Sequence, residues 1–215
     1  QARARAQAQA GPGEKAEGKE KAKAMAKAGA RPMNFCSNCG AETSRRVPEG
    51  DNRPRDLCED CGTIHYQNPK IIAGCVVLQD HKVLLCKRAI EPRYGLWTLP
   101  AGFMENGETV AQAALRETWE EARATPKLDQ LYVVTSIPTI SQVYMLYLAF
   151  LTDGQYGTGP ESLETQLFGI DEIPWDQLAF HTVRDTLLKL SEDLKIGQFR
   201  LHCIDRDETP VSARI

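Results

Sequence analysis

Two groups of side chains in this 215-residue chain have the types and spacing that do chemistry. Cys36 and Cys39 (FCSNCG) form one C-x2-C pair, and Cys58 and Cys61 (LCEDCG) form a second. Each pair can aim two thiolates at one ion, and the glycine after each second cysteine permits the left-handed turn that such a knuckle needs. The spacing predicts a tetrahedral Zn2+ bound by four thiolates, structural because no coordination position is left open. Two disulfides or four ordinary thiols are the alternative, which the odd total of seven cysteines and the paired knuckles disfavour. His65 reads as a surface or interface residue of this small unit rather than a fifth ligand, and Cys75 and Cys86, in apolar runs, read as inert core thiols.

The second group lies in GFMENGETVAQAALRETWEEARA. At about 100° per residue, Glu117, Glu120 and Glu121 share one arc of a helix, and Ala111, Leu115, Thr118, Trp119 and Ala122 take the opposite arc. One face is expected to pack, with Trp119 in the core, and the other to gather carboxylates. Like charges three and four residues apart weaken a helix by a few tenths of a kcal/mol per pair unless they are neutralised. A divalent cation does this, and carboxylate oxygens suit Mg2+ or Mn2+. The alternative is a solvated face on which Arg116 and Arg123 screen the glutamates.

The polar positions run Gly102, five residues, Glu108, seven residues, Arg116-Glu117, two residues, Glu120-Glu121. This resembles the Nudix box, G-x5-E-x7-R-E-U-x-E-E-x-G-U, where U is a bulky aliphatic residue. Thr118 replaces the first bulky aliphatic, and Arg123 stands where the family has glycine. The resemblance implies that Glu117, Glu120 and Glu121 bind Mg2+ or Mn2+, with a main-chain carbonyl of Ala101 or Gly102 as a further ligand. It implies that Arg116 orients a neighbouring glutamate, that Glu108 holds the loop, and that GPESLETQLFGIDEIPW supplies one more carboxylate, Glu164 or else Glu161. Basic and aromatic residues near the box, Arg88, Arg93, Tyr94, Trp97 and Tyr144, are candidates to contact the rest of the substrate; Trp97 and Tyr144 also fit as core aromatics, and Arg93 as a solvated loop cation.

Over residues 34–203 the chain is similar to bacterial zinc-ribbon Nudix hydrolases and to the plant chloroplast FAD and ADP-ribose pyrophosphatases, on IHYQNPKIIAGCVV, LLCKRAIEPRYGLWTLPAGFMENGE and RETWEEA. The NADH pyrophosphatase branch has a SQPWPFP-type stretch where this chain reads SQVYM, Ser141 to Met145. The resemblance therefore implies a metal-dependent pyrophosphatase that cleaves FAD or ADP-ribose and releases AMP, and a homodimer. NADH, nucleotide-capped RNA ends and a non-enzymatic nucleotide-sensing regulator are the alternatives.

These groups need elements to position them. IIAGCVVL (Ile71 to Leu78) and VLLCKRA (Val83 to Ala89) around a polar turn predict a hairpin. LYVVTSI (Leu131 to Ile137), QVYMLYLAFLT (Gln142 to Thr152) and a short LFGI (Leu167 to Ile170) add strands, and helices are expected at about Glu108 to Ala122 and Thr182 to Leu194. Strands mixed with two helices predict an α/β fold. With the resemblance, this becomes a Nudix α/β/α sandwich with a mixed sheet over 69–203, preceded by a four-cysteine zinc ribbon over 33–68.

The net charge of −3 is uneven: residues 1–32 carry +5 and the remainder −8. The first 32 residues hold eleven alanines and no aromatic, β-branched or hydroxyl residue, and read as a disordered basic tail; residues 204–215 are expected to form a C-terminal tail. An acidic body is a poor non-specific binder of nucleic acid; the expected partner, a small nucleotide, is what the resemblance implies. The longest apolar run, Val143 to Leu151, is too short to span a bilayer, and unpaired thiols point to a reducing cytoplasm, with a plastid as the alternative.

Overall fold

The computed structural model describes residues 32–206, so all but the last residue of the expected basic tail, and the chain after Arg206, lie outside it. The chain divides into two compact units, the second beginning at Pro69. In the first, β1 (Thr43–Arg46), β2 (Arg55–Cys58) and β3 (Ile64–His65) form a small antiparallel sheet in that order. Its backbone turns twice through left-handed glycines, Gly40 (φ +79°) and Gly62 (φ +71°), each of which follows a C-x2-C pair.

The second unit is built on one eight-stranded sheet. The expected hairpin is β4 (Lys70–Gln79) and β5 (Lys82–Arg88), followed by the short β6 (Trp97–Thr98) and β7 (Ala101–Phe103), then β8 (Lys127–Ile137), β9 (Gln142–Phe150), β10 (Ser162–Phe168) and β11 (His202–Asp205). The order is β10-β5-β4-β9-β8-β11, with β6 on β5 and β7 on β4; β4/β9 and β8/β11 are parallel, the rest antiparallel. β10 shares only Leu167 and Phe168 with the expected LFGI strand, because the chain leaves the sheet at Gly169 and enters a short 3-10 turn at Ile170–Glu172, and β11 runs two residues past the expected end of the domain at 203.

Two helices cover the sheet, α1 (Val110–Ala122) on one face and α2 (His181–Ile196) on the other, which gives the α/β/α sandwich. The strand period of two sorts the side chains into these layers. Val76, Leu78, Val83, Leu85, Leu146 and Leu148 pack with Val183, Leu187 and Leu190 of α2, whereas Cys75, Val77, Leu84, Cys86 and Ala149 pack with Ala113, Ala114 and Ala122 of α1. Because β4 is covered on both faces, its sequence reads as a continuous apolar run rather than an alternating one. Both core thiols are buried, and burial pushes Cys75 up to about 11, out of the reactive range.

β4 and β5 pair directly only beside their turn, at Leu78↔Val83 and Gln79↔Lys82. Beyond it they diverge like the arms of a fork: β6 pairs with β5 through Cys86↔Thr98 and Lys87↔Trp97, and β7 with β4 through Ile72↔Phe103, Ala73↔Gly102 and Gly74↔Ala101. The loop 89–96 thus leaves one arm and returns along it.

α1 begins with a reciprocal cap: the Thr109 hydroxyl accepts from the Gln112 N–H (3.2 Å), and the Gln112 side chain accepts from the Thr109 N–H (2.8 Å). It ends at Arg123, held left-handed (φ 49°, ψ 28°) with its N–H on the Trp119 carbonyl. The Arg123 guanidinium lies 4.0 Å over the Trp119 ring, which is 52% exposed. The expected core role of Trp119 is therefore corrected. The buried stripe of α1 is Ala114, Thr118 and Glu121, spaced four and three residues apart, with Ala113 and Ala122 alongside, and it turns the indole outward.

A side chain with a Cβ is strained in that left-handed position, and here the stacking on Trp119 offsets the strain. Arg123→Ala keeps the strain and loses the stacking, whereas Arg123→Gly relieves it. Chemical denaturation should find the glycine variant more stable than the alanine variant by about 1 kcal/mol. Equal stabilities would show that the backbone at 123 carries no strain.

Candidate active site and cysteine cluster

In the first unit the four cysteine sulfurs lie within 4.8 Å of one another. Cys36 Sγ is 3.7 Å from Cys61 Sγ, and Cys39 Sγ is 3.5 Å from Cys58 Sγ, far longer than a disulfide. A tetrahedral ion with Zn–S bonds near 2.3 Å requires sulfurs about 3.8 Å apart, so the four thiols fit Zn2+. Donors already face them. The Asn38 N–H (3.4 Å) and His65 Nε2 (3.3 Å) reach Cys36, and the Thr63 hydroxyl (3.0 Å) reaches Cys61, whose thiol is thereby held down to about 5. His65, read from the sequence as a surface or interface residue, lies beside a candidate ligand and can fix its orientation.

In the second unit α1 brings its carboxylates down on β7. A Cβ at Gly102 would overlap the Glu117 carboxylate, and one at Gly74 would overlap Ala101 and the Pro100 carbonyl, so both glycines serve close approach. Glu121 is only 6% exposed, and its carboxylate accepts from the Ala101 N–H (3.4 Å). Among the described residues no cation pairs with it. Burial, and next the charge of Glu117, push its pKa up to about 8, while Arg88 opposes the rise. Burial also raises Glu117, against the pull of Arg116.

Arg116 is the counterweight. Its Nε (3.1 Å) and Nη2 (2.7 Å) fork onto the two oxygens of Glu108. Nη1 donates to Glu117 (2.7 Å) and Glu120 (3.1 Å), and Nη2 also donates to the Phe103 carbonyl (3.1 Å). Glu108 in turn accepts from the Glu105 N–H (2.6 Å), so its carboxylate ties the loop before α1 to the arginine.

Of the two downstream candidates, the structure brings Glu161 to this cluster and Glu164 elsewhere. Glu164 pairs with Lys87 across the sheet, with 3.7 Å between carboxylate and ammonium, and shares its face of β10 with Phe168, which packs in the α2 layer. The period of two thus turns it away from α1. Glu161, just before the strand, is near enough for its charge to raise both Glu117 and Glu121.

The expected substrate contacts also divide. Trp97 is 5% exposed and meets Phe168 edge-on at 4.9 Å, so it is a core aromatic, a consequence of β6 facing the α2 layer. Tyr144 is half-buried on that same side. Arg93 and Tyr94 are exposed on the loop 89–96, and Arg88 donates to the Pro92 carbonyl (2.9 Å) with its guanidinium 5.2 Å over Phe180. Phe180, at the start of α2, was not visible in the sequence pattern, because nothing local links it to the box.

A buried carboxylate with no partner cation and a raised pKa is what a divalent-cation site looks like before its ion is added. The sign of its effect on stability follows. Because the folded value lies above the ordinary carboxylate range, Glu121 contributes stability that is complete at pH 4 and is lost as the pH rises through about 8. In metal-free buffer Glu121→Gln should match the parent at pH 4 and exceed its melting temperature at pH 9, a gain on the order of a few kcal/mol. Added Mg2+ should reverse the ranking. Parallel pH profiles for the two proteins would show that the carboxylate is not destabilising.

Comparison with known proteins accords with this geometry. The family profile described as Nudix N-terminal matches residues 34–67, and the NUDIX domain profile matches residues 68–190. An ADP-ribose pyrophosphatase of Methanocaldococcus jannaschii is 34% identical over 119 residues, 54% of this chain and 69% of that protein. A NAD-capped RNA hydrolase, NudC, of Photorhabdus laumondii is 32% identical over 168 residues, 76% of this chain but 60% of that relative. The crystal structure of a NUDIX hydrolase from Nitrosomonas europaea superposes with a TM-score of 0.76 at 55% identity, over 81% of this chain and all of that one. The chain belongs to the Nudix hydrolase family and joins the family's N-terminal zinc ribbon to its catalytic fold.

Proposed function

We propose that this Nudix hydrolase cleaves the diphosphate bond of a nucleoside diphosphate linked to a second moiety, with ADP-ribose or FAD as substrate and AMP as one product. The observation that supports it most is the placing of Glu117 and Glu121 against the main chain of β7, with Glu121 buried and unpaired and Glu161 near enough for its charge to act on both. Mg2+ or Mn2+, when bound, polarises the diphosphate and lowers the pKa of an attacking water. Glu117, Glu120 and Glu121 hold the ion, with a main-chain oxygen of Ala101 or Gly102. Glu161 supplies a further carboxylate. Arg116 aims Glu117 and Glu120, and Glu108 braces Arg116. Arg88, Arg93 and Tyr94 stand where the leaving half of the substrate can be read, and four thiolates hold a structural Zn2+ in the ribbon.

A second reading, hydrolysis of NADH or of NAD-capped RNA, draws on the NudC relative, whose similarity spans most of this chain. Against it stands SQVYM at Ser141 to Met145, with half-buried Tyr144 in place of the proline-aromatic stretch.

Chromatography of products after incubation with Mg2+ and ADP-ribose, FAD or NADH in parallel separates the readings. AMP with ribose 5-phosphate, or AMP with FMN, should form well faster than NADH is cleaved; predominant NADH cleavage would favour the second reading, and no turnover of any would point to capped RNA or a sensor. Glu121→Gln should lower turnover by two or more orders of magnitude while the protein stays folded, as expected when a group that acts on the developing charge is lost. Turnover near the parental rate in that variant would remove Glu121 from the ion site.

A further inference from the structure

We propose that Gly159 is a positioning residue of the active site: a main-chain strap from Gly157 to Glu161, tied to the last turn of α1, sets where the Glu161 carboxylate stands relative to Glu117 and Glu121. The inference rests on Glu161 contributing to the ion site, as proposed above.

The strap is visible as a run of backbone hydrogen bonds. The Gly157 N–H donates to the Ala122 carbonyl (2.7 Å) and the Gly159 N–H to the Glu121 carbonyl (3.0 Å). These are carbonyls of the helix's last turn, which have no partner within the helix. The Ser162 N–H then closes a turn on the Gly159 carbonyl (3.1 Å), and the Glu161 carbonyl accepts from the Ala89 N–H (2.8 Å). Glu161 is therefore held directly by Ala89, just after β5, and, through Gly159 two residues before it, by the residue that carries the buried carboxylate. A side chain adds one more tie, since the Thr165 hydroxyl donates to the Gly157 carbonyl (2.8 Å).

The two glycines of the strap are not equivalent. A Cβ at Gly159 would overlap the Glu120 carbonyl oxygen and crowd the Glu121 Cα, so only glycine lets the strap close on the helix. A Cβ at Gly157 would meet the Arg123 side chain at 3.4 Å, an ordinary contact. Neither lies in the left-handed region, so an alanine at either position is free of backbone strain and differs only in what it touches. Gly159→Ala must push the strap off the helix end and carry Glu161 with it, whereas Gly157→Ala leaves it seated.

The test is Mn2+ affinity of the full chain, read by electron paramagnetic resonance without substrate. Gly159→Ala and Glu161→Gln should each weaken Mn2+ binding about tenfold, in the range usual for residues that support metal ligands, and Gly157→Ala should bind as the parent does. The double variant Gly159→Ala with Glu161→Gln should bind no more weakly than Glu161→Gln alone, because the glycine acts only through that carboxylate. Should Gly159→Ala fail to fold, Thr165→Val loosens the same strap by removing the hydroxyl's bonds to the Gly157 carbonyl and the Thr158 hydroxyl, and should cost about fivefold. Parental affinity in whichever of these strap variants folds, or additive losses in the double variant, would overturn the proposal. Parental affinity in Glu161→Gln would instead overturn the reading of Glu161 on which it rests.

Discussion

The constraint on which the second unit depends is the burial of the Glu121 carboxylate against the main chain of β7 without a cation beside it. A charge taken out of water costs several kcal/mol unless it is paired, so the fold sets aside a local instability at this point and spreads it over its surroundings. Like-charged Glu117 adds to it, and Glu161 adds more. A locally unfavourable cluster on an otherwise consistent sandwich is the mark of a place where function rather than stability selects the residues. Binding of a divalent ion to the folded state alone would offset the cost of burying that charge.

Arg116 limits that cost. Its planar guanidinium serves Glu108, Glu117, Glu120 and the Phe103 carbonyl at once, which a lysine, with a point charge and no fork, cannot do. Since it is already engaged by Glu108, it offers no direct contact to Glu121. The cluster is thus divided into a half that the protein neutralises itself and a half that it leaves for an ion. The cysteine unit follows a related economy on a smaller scale: a short three-stranded sheet has little apolar area to bury, and its four converging sulfurs supply a site for the metal that replaces a core.

Much of this was legible in the sequence, for reasons that particular residues make plain. The two C-x2-C pairs and the Gly102 to Glu121 spacing are local, and local spacing survives folding because knuckle and helix geometry are fixed. The apolar runs of β4, β5 and β9 announced strands buried on both faces. What the helical wheel missed was the direction of α1: it divided polar from apolar, as if carboxylates must face water, and so placed Trp119 inside. In the structure the buried stripe includes Glu121, and the indole is outside under Arg123. Glu164 and Trp97 illegibly depended on which face of a strand each occupies, and the bulge between Ser162 and Glu164 resets that alternation. The strap through Gly159 depends on a tertiary approach of two segments far apart in the chain, which no local pattern records.

The forked hairpin has a consequence for how such a protein can diversify. Because β6 is fixed on β5 and β7 on β4, and Ala89 is tied to Glu161, the span from Ile90 to Tyr94 runs between fixed ends, and neither ladder depends on its length. Closing a longer loop between fixed ends costs little, of the order of half a kcal/mol for each doubling. Insertions, deletions and exchanges around Arg93 and Tyr94 can therefore accumulate without shifting Gly102 or the carboxylates behind it. With the roles proposed above, the scaffold separates the part that breaks a bond from the part that chooses whose bond is broken, and lets the second drift while the first stays still.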